Sequence, residues 1–287
     1  MKKLYSVILI FVLIISLCGC NFVNLRNEIP VPEGSSFAVH YIDVGQADSA
    51  LVLCDDKAML IDGGNVDDSQ LIVSYLKKMD IDYLDYVICT HAHEDHVGGL
   101  SGALSYADVG CVFAPESESD SKAYRNFKKK VAAQGLDIEH PIDGDEFSLG
   151  SSTVQILGPI YEDEDDLNNT SIVLKVIYGE TSFLFTGDAE RDEEHDIIDE
   201  GYDLSATVLK VGHHGSDTSS SYRFLREVMP EYAIISVEKD NSYGHPHDEP
   251  LSRLKDVGAE IYRTDECGDI IAESDGITVK IYTEKGA

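Results

Sequence analysis

The stretch Thr90-His91-Ala92-His93-Glu94-Asp95-His96-Val97-Gly98-Gly99 follows directly on the apolar run Tyr86-Val87-Ile88-Cys89. A short apolar run reads as a buried strand, which puts the histidines on the loop at its end. His91 and His93 are two apart and can aim together at one metal. Asp95 and His96 fall beyond the turn, where they can serve a second. Neutral imidazole nitrogen with carboxylate oxygen suits Zn²⁺, and also Mn²⁺ or Fe²⁺. The plain alternative is a patch of exposed polar residues, the usual reading of a lone histidine. Four ligand-type side chains at this spacing argue against it, and a two-metal site is expected.

Other pieces fall around this loop in order. Leu60-Ile61-Asp62-Gly63-Gly64 precedes it, and Phe183-Leu184-Phe185-Thr186-Gly187-Asp188 follows. Further on come Val208-Leu209-Lys210-Val211-Gly212-His213-His214-Gly215-Ser216 and Tyr243-Gly244-His245-Pro246-His247. His-x-His-x-Asp-His followed by Gly-Gly resembles the signature of the metallo-β-lactamase fold superfamily. With His40-Tyr41-Ile42-Asp43-Val44-Gly45-Gln46-Ala47-Asp48-Ser49, the set is similar to one subgroup. That subgroup is the soluble hydrolase domain of the ComEC competence channel and its free-standing relatives. The resemblance runs from about Phe37 to about Tyr282.

The resemblance implies an α+β four-layer αββα sandwich over residues 36–287, holding two divalent metal ions, with zinc favoured and manganese or iron as alternatives. It implies that Asp62 buttresses the metal loop, that Asp95 joins His96 on the second metal, and that Asp188 bridges the pair. Many members supply a further His where this chain reads Leu167-Asn168-Asn169-Thr170-Ser171, so the His91/His93 ion is expected to be held more weakly. Asn169 could bind metal, bond to substrate or shape a turn, the commonest role of Asn pairs. Two His groups compete for the last protein ligand. His213 is favoured as that ligand, with His214 or His245 as proton donor, because neighbouring side chains at a strand end point opposite ways. His40, His195 and His247 read as surface or structural, and Ser216 with its neighbours Thr218 to Ser221 as a helix cap. A pair of divalent ions lowers the pKa of a shared water and supplies a nucleophile for hydrolysis. No Ser-His-Asp arrangement is evident, and Gly63-Gly64 lacks the Lys-Ser/Thr of a phosphate-cradling loop.

The N-terminus reads as a targeting segment. Lys2 and Lys3 precede the apolar run Leu4 to Leu17, and Leu17-Cys18-Gly19-Cys20 resembles a bacterial lipobox. Residues 1–19 are therefore expected to be a lipoprotein signal peptide, with lipid on Cys20 anchoring the chain outside the cell membrane. A retained transmembrane anchor is the alternative, although the run is short for one. Residues 20–35, polar with Pro30 and Pro32, read as a tether. Cys54, Cys89, Cys111 and Cys267 show no zinc-knuckle spacing, and Cys54 and Cys89 sit in apolar strand patterns as small core residues. The remaining length fits one domain.

Charge bears on the substrate. The chain holds 22 Lys plus Arg against 53 Asp plus Glu, a net charge of −31. Affinity for nucleic acid comes from phosphate neutralisation, so DNA should be held weakly unless a local basic footprint exists. Lys122, Arg125, Lys128, Lys129 and Lys130 recur at helical spacing and read as an exposed helix face. The leading expectation is an exported dimetal phosphodiesterase, nuclease-like and competence-type. A hydrolase of a small or cell-envelope ester or amide is the alternative, and a non-catalytic binding lipoprotein ranks last. No stable protein partner can be inferred.

Overall fold

The computed structural model describes Gly34, residues 36–162 and residues 166–285. The signal segment, Cys20 and the tether lie outside the described residues, save Gly34. Fifteen strands form two sheets among the described residues. The first contains β1 (Phe37–Tyr41), β2 (Ala50–Cys54), β3 (Lys57–Ile61), β4 (Tyr83–Ile88), β5 (Asp108–Phe113), β6 (Ile138–Glu139), β14 (Ile270–Ser274) and β15 (Val279–Thr283). Its order is β15-β14-β1-β2-β3-β4-β5-β6. The second contains β7 (Glu146–Leu149), β8 (Ser152–Gly158), β9 (Val173–Tyr178), β10 (Thr181–Phe185), β11 (Val208–Lys210), β12 (Tyr232–Ile235) and β13 (Glu260–Arg263). They run in the order β13-β12-β11-β10-β9-β8-β7.

Strand side chains alternate between faces, and here both faces are buried. Along β3, Met59 and Ile61 enter the core between the sheets, whereas Ala58 and Leu60 pack outward. Phe183 and Phe185 of β10 enter the same inter-sheet core, and Leu184 packs the other way. The outward face of the first sheet is covered by α1 (Ser69–Lys78), α2 (Glu94–Val97), α3 (Leu100–Tyr106) and α4 (Lys122–Ala133). The second is covered by α5 (Arg191–Glu200), α6 (Tyr222–Val228) and α7 (Asp248–Asp256), with α8 (Thr264–Cys267) closing the chain before β14. The result is helix, sheet, sheet, helix, the four-layer α+β sandwich expected.

Helix α3, strands β5 to β7 and strand β13 were not legible in the sequence. Leu-Ser-Gly-Ala-Leu-Ser-Tyr is a weak helix former, with one glycine and two serines. Burial of Leu100, Ala103 and Leu104 stabilises it, and a Cβ on Gly102 would sit 2.5 Å from the Ser69 carbonyl oxygen. The small residues are what let α3 lie close to α1.

Parallel pairing of β3 with β4, of β10 with β11, and of β11 with β12 brings their C-terminal ends to one edge of the sandwich. That edge carries Asp62, the His91–His96 loop, Asp188, and His213 with His214.

Candidate dimetal site

Asp62 organises the metal loop. Its Oδ1 accepts from the Thr90 backbone N–H at 2.8 Å, and its Oδ2 accepts from Thr90 Oγ1 at 2.7 Å and His96 Nδ1 at 2.8 Å. With Nδ1 donating, His96 Nε2 faces the cleft, the arrangement that orients a ligating imidazole. The glycines after the loop serve this contact. A Cβ on Gly99 would lie 1.8 Å from the Gly63 carbonyl oxygen, so only glycine lets the loop dock on the Asp62-Gly63-Gly64 turn. Gly63 N–H donates to the His96 carbonyl at 2.8 Å, closing the junction.

Asp188 follows β10 and lies at the centre, 2% exposed. One oxygen, Oδ1, is 3.2 Å from His96 Nε2 and 3.9 Å from His214 Nε2. The other, Oδ2, is 3.9 Å from His91 Nε2 and 3.7 Å from His213 Nε2. Asp95 Oδ2 completes the first group, 3.4 Å from His214 Nε2 and 4.0 Å from His96 Nε2. His93 completes the second, with Nδ1 3.0 Å from His91 Nε2. The carboxylate thus faces two sets of donors, one on each oxygen.

His213 and His214 come together by a route that strand logic misses. Strand β11 ends at Lys210, and both histidines occupy a turn with φ of 49° and 53°. This left-handed conformation is costly for non-glycine residues and is typical of functional sites. It turns both rings toward Asp188 rather than to opposite sides, with centroids 6.3 Å apart. His214 Nδ1 donates to the Ser236 carbonyl at 3.0 Å and lies 3.3 Å from Asp48 Oδ1, which leaves Nε2 facing Asp95 and Asp188. His213 Nδ1 lies 3.1 Å from Thr218 Oγ1 and 3.2 Å from Glu190 Oε1. The geometry therefore gives His214 the surroundings of a ligand no less than His213, the residue favoured from sequence.

Asp48 and Lys210 were missed as site residues. Lys210 Nζ is 2.7 Å from Asp48 Oδ2, and both groups are buried. Both stand in motifs quoted from the sequence, yet nothing local says that a lysine on β11 meets an aspartate after β1. Asn169 is committed to the turn: its Oδ1 accepts from Glu190 N–H at 2.9 Å and its Nδ2 donates to Asp166 at 2.7 Å. Asn168 instead lines the cleft, with a buried Oδ1 that makes no hydrogen bond. Within the group from Ser216 to Ser221 read as a helix cap, Ser221 is the capping residue, accepting from Phe224 N–H. His40 is buried against the Tyr75 hydroxyl, a structural histidine.

The cleft, of about 330 Å³, is lined by Gln46, His93, Glu94, Asp95, Asn168 and Asp188, with His213, His214, Tyr243 and His245. Gln46 Nε2 donates to His245 Nδ1 at 3.3 Å, and that ring lies 5.5 Å from His213 and stacks on Tyr243. Burial and the neighbouring histidines pull His245 down to about 4. His91, fully buried, is likewise lowered, first by burial and then by His96. Burial also opposes charge on His214, but Asp188 and Asp48 outweigh it and raise the group to about 10. His96 is raised in the same way against its burial, by Asp188 and Asp62.

Whether these residues suit a divalent ion is answered by three buried atoms. His96 Nε2, His214 Nε2 and Asp188 Oδ1 make no aligned hydrogen bond, although buried polar groups in folded proteins are nearly always satisfied. With Asp95 they present ligand atoms all within 4.8 Å of one another. Two imidazoles and two carboxylates in that space fit a divalent transition metal or zinc.

Comparison with known proteins agrees with this geometry. The family described as the Metallo-beta-lactamase superfamily matches residues 42–238. The chain is 31% identical over 250 residues to ComE operon protein 3 of Bacillus subtilis, covering 81% of this chain and 32% of that protein. It is 33% identical over 249 residues to competence protein ComA of Neisseria gonorrhoeae, covering 86% and 33%. The chain spans about a third of the length of these relatives. The solved metallo-beta-lactamase fold protein YhfI from Bacillus subtilis matches with a TM-score of 0.55 at 15% identity, over 83% of this chain and 100% of that one, a likeness of fold. The chain belongs to the metallo-beta-lactamase superfamily, whose members are generally metal-dependent hydrolases, and within it to the ComEC competence type.

Proposed function

We propose that this chain is a dimetal phosphodiesterase, held outside the cell membrane by a lipid on Cys20. The two-sided contact of Asp188 carries the reading, since one carboxylate facing two imidazole sets supports a bridged pair of ions. It supports Asp95, His96 and His214 as ligands of one ion, and His91, His93 and His213 as ligands of the other. When bound, the two ions would lower the pKa of a shared water and polarise a phosphoryl oxygen; zinc, manganese and iron all suit the donors.

The chain's own residues do the rest. Asp62 and Asp48 hold the His96 and His214 rings with Nε2 inward. Gln46 donates to His245 Nδ1, which leaves the proton on Nε2 of a neutral ring lining the cleft, where it can offer a hydrogen bond to a departing oxygen. Asp95, Asp188 and Glu94 line the same cleft, so a singly charged diester is repelled less than a doubly charged monoester. The reading of the anchor rests on Leu17-Cys18-Gly19-Cys20 alone.

Two experiments test this. Metal-depleted protein reloaded with Zn²⁺ or Mn²⁺ is expected to bind up to two ions and to hydrolyse bis-p-nitrophenyl phosphate faster than p-nitrophenyl phosphate. A metal-replete protein that cleaves monoesters, amides or lactams but no diester refutes the assignment and leaves a small-substrate hydrolase. Cys20→Ala is expected to leave the membrane fraction or accumulate as precursor. Unchanged fractionation and migration would end the lipoprotein reading.

A further inference from the structure

Three residues between β11 and α6 take left-handed backbone without being glycine: His213, His214 and Ser220, with φ of 49°, 53° and 54°. Such backbone persists only where its surroundings over-determine it, and the segment Ser219 to Ser221 shows what does so here. Glu194 of α5 accepts from the Ser220 and Ser221 N–H groups, one on each carboxylate oxygen. Arg253 of α7 donates through Nη1 to the Ser219 and Ser220 carbonyls, at 3.2 and 3.1 Å, and through Nη2 to Glu249. Glu194 and Arg253 are both buried. Taking a carboxylate and a guanidinium out of water is costly, and apolar side chains would pack α5 and α7 onto this segment without that cost. The two charges serve the backbone they hold.

That backbone in turn carries the site. Ser219 is fully buried, and its hydroxyl donates to the Ala189 carbonyl at 2.8 Å, one residue beyond Asp188. A Cβ on Gly212, the residue before His213, would lie 3.3 Å from Ser219 Cβ, so the same serine backs the histidine turn. Two backbone bonds of 3.1 Å join the pieces: Arg191 N–H donates to the Thr218 carbonyl, and His213 N–H donates to the Gly187 carbonyl. The end of β10, the histidine turn and the serine segment therefore move as one unit.

Resting on the dimetal reading alone, we propose that Ser219 is a positioning residue for the metal centre, with Glu194 and Arg253 as the clamp that fixes it. Ser219 acts on Asp188 through the Ala189 carbonyl and on His213 through Gly212, and it lines no part of the cleft. Its influence falls on the His91, His93 and His213 side, because His213 and the Asp188 backbone are the parts it supports. Order behind that half of the site comes through the backbone, where the other half is ordered by carboxylates on its rings.

The test reads metal affinity, so that no substrate is needed: stripped protein is titrated with Zn²⁺ against a chelator. Ser219→Ala keeps the contact with Gly212 and removes only the bond to Ala189. It is expected to weaken the more loosely held ion about tenfold. Arg253→Met is expected to weaken that ion at least as far, and Arg253→Lys, which keeps a buried charged donor, to restore most of the loss. Val154→Ala, a truncation in the core between the sheets, is the control: it should lower Tm and leave both affinities unchanged. Unchanged Zn²⁺ affinity in Ser219→Ala overturns the proposal, and that variant alone decides if Arg253→Met does not fold. A Val154→Ala protein that loses as much affinity as Arg253→Met, at an equal loss of Tm, overturns it too, since the role would then be structural only. Wild-type protein that binds no Zn²⁺ ends the dimetal reading together with this one, whereas two ions held alike by wild type and Ser219→Ala end this one alone.

Discussion

The two sets of residues around Asp188 are built differently. On the Oδ1 side, His96 is held by buried Asp62, and His214 by the Ser236 carbonyl and buried Asp48, itself paired with Lys210. On the Oδ2 side, His91 is buried beside the Thr90 and Ser171 hydroxyls, His213 leans on Glu190 and Thr218 near the surface, and His93 Nδ1 lies against the His91 ring. The first set is clamped by buried charges with little freedom to move. The second combines that buried ring with two partly exposed histidines, which have more freedom to reorganise. Preorganisation behind a ligand is worth 10–100-fold in metal affinity, so the two ions should differ in how easily they are lost.

The largest effect expected is that of Asp188→Ala, which removes the one group shared by both sets. Hydrolysis should fall by about a thousandfold or more, since several kcal/mol of metal-derived stabilisation are lost. Metal analysis should show both ions weakened. A variant that keeps one tightly bound ion would mean the sets are independent, and the comparison would need redrawing.

Next comes the clamp itself. Lys210→Met leaves Asp48 charged and buried without its partner, which should destabilise the protein by about 3–5 kcal/mol in denaturant titration. Glu190→Gln, the matching change on the other side, should cost less than about 1 kcal/mol because that contact is partly solvated. Equal costs would show that the two sides are equally rigid. Below these in size, Asp62→Asn should lower metal affinity by about 10–100-fold through His96, with the loss confined to one ion.

The two sets should also separate by pH. In metal-free protein His214 keeps its proton up to about 10, against an ordinary value of 6.5. Its contribution to metal-free stability is complete below pH 6.5 and disappears as pH rises toward 10. Metal must displace that proton, so affinity on the clamped side should rise up to tenfold per pH unit for each proton released across this window. His91 is shifted the other way, so ions binding beside it displace no proton from it near neutral pH. Competition titrations at pH 6.5 and 8.5 measure this; equal slopes for the two ions would erase the distinction. Smallest is Asn168→Ala, expected to change the rate a few-fold by removing the unpartnered amide oxygen at the cleft wall.

Much of the site was readable because its spacing is local. His91, His93, Asp95 and His96 lie within six residues, and an apolar run before them announces the strand that delivers them. Asp188 was legible only through the resemblance of Phe183-Leu184-Phe185-Thr186-Gly187-Asp188 to the family's motif, because an aspartate after a glycine otherwise reads as a turn residue. The respective places of His213 and His214 were not legible. Alternation along a strand sends neighbours to opposite faces, but β11 stops at Lys210 and the histidines sit in a left-handed turn that propensity does not announce. Asn168 and Asn169 show the same limit: adjacent and chemically identical, both engage Glu190, but only Asn169 has its amide oxygen taken up by a backbone N–H, whereas that of Asn168 is left without a partner at the cleft.

The sequence by itself therefore determined the alternation of strands and helices, the ligand-bearing loop and the excess of negative charge, because each is set by side-chain type at short spacing. Tertiary structure alone decided that Asp48 meets Lys210 and His214 and that Asp188 stands between two imidazole sets. Those contacts join residues as much as 166 positions apart, as with His214 and Asp48 (214 − 48). They depend on how two sheets stack and on which strand ends share an edge, and sheet packing is chosen by the whole buried core rather than by any segment of it.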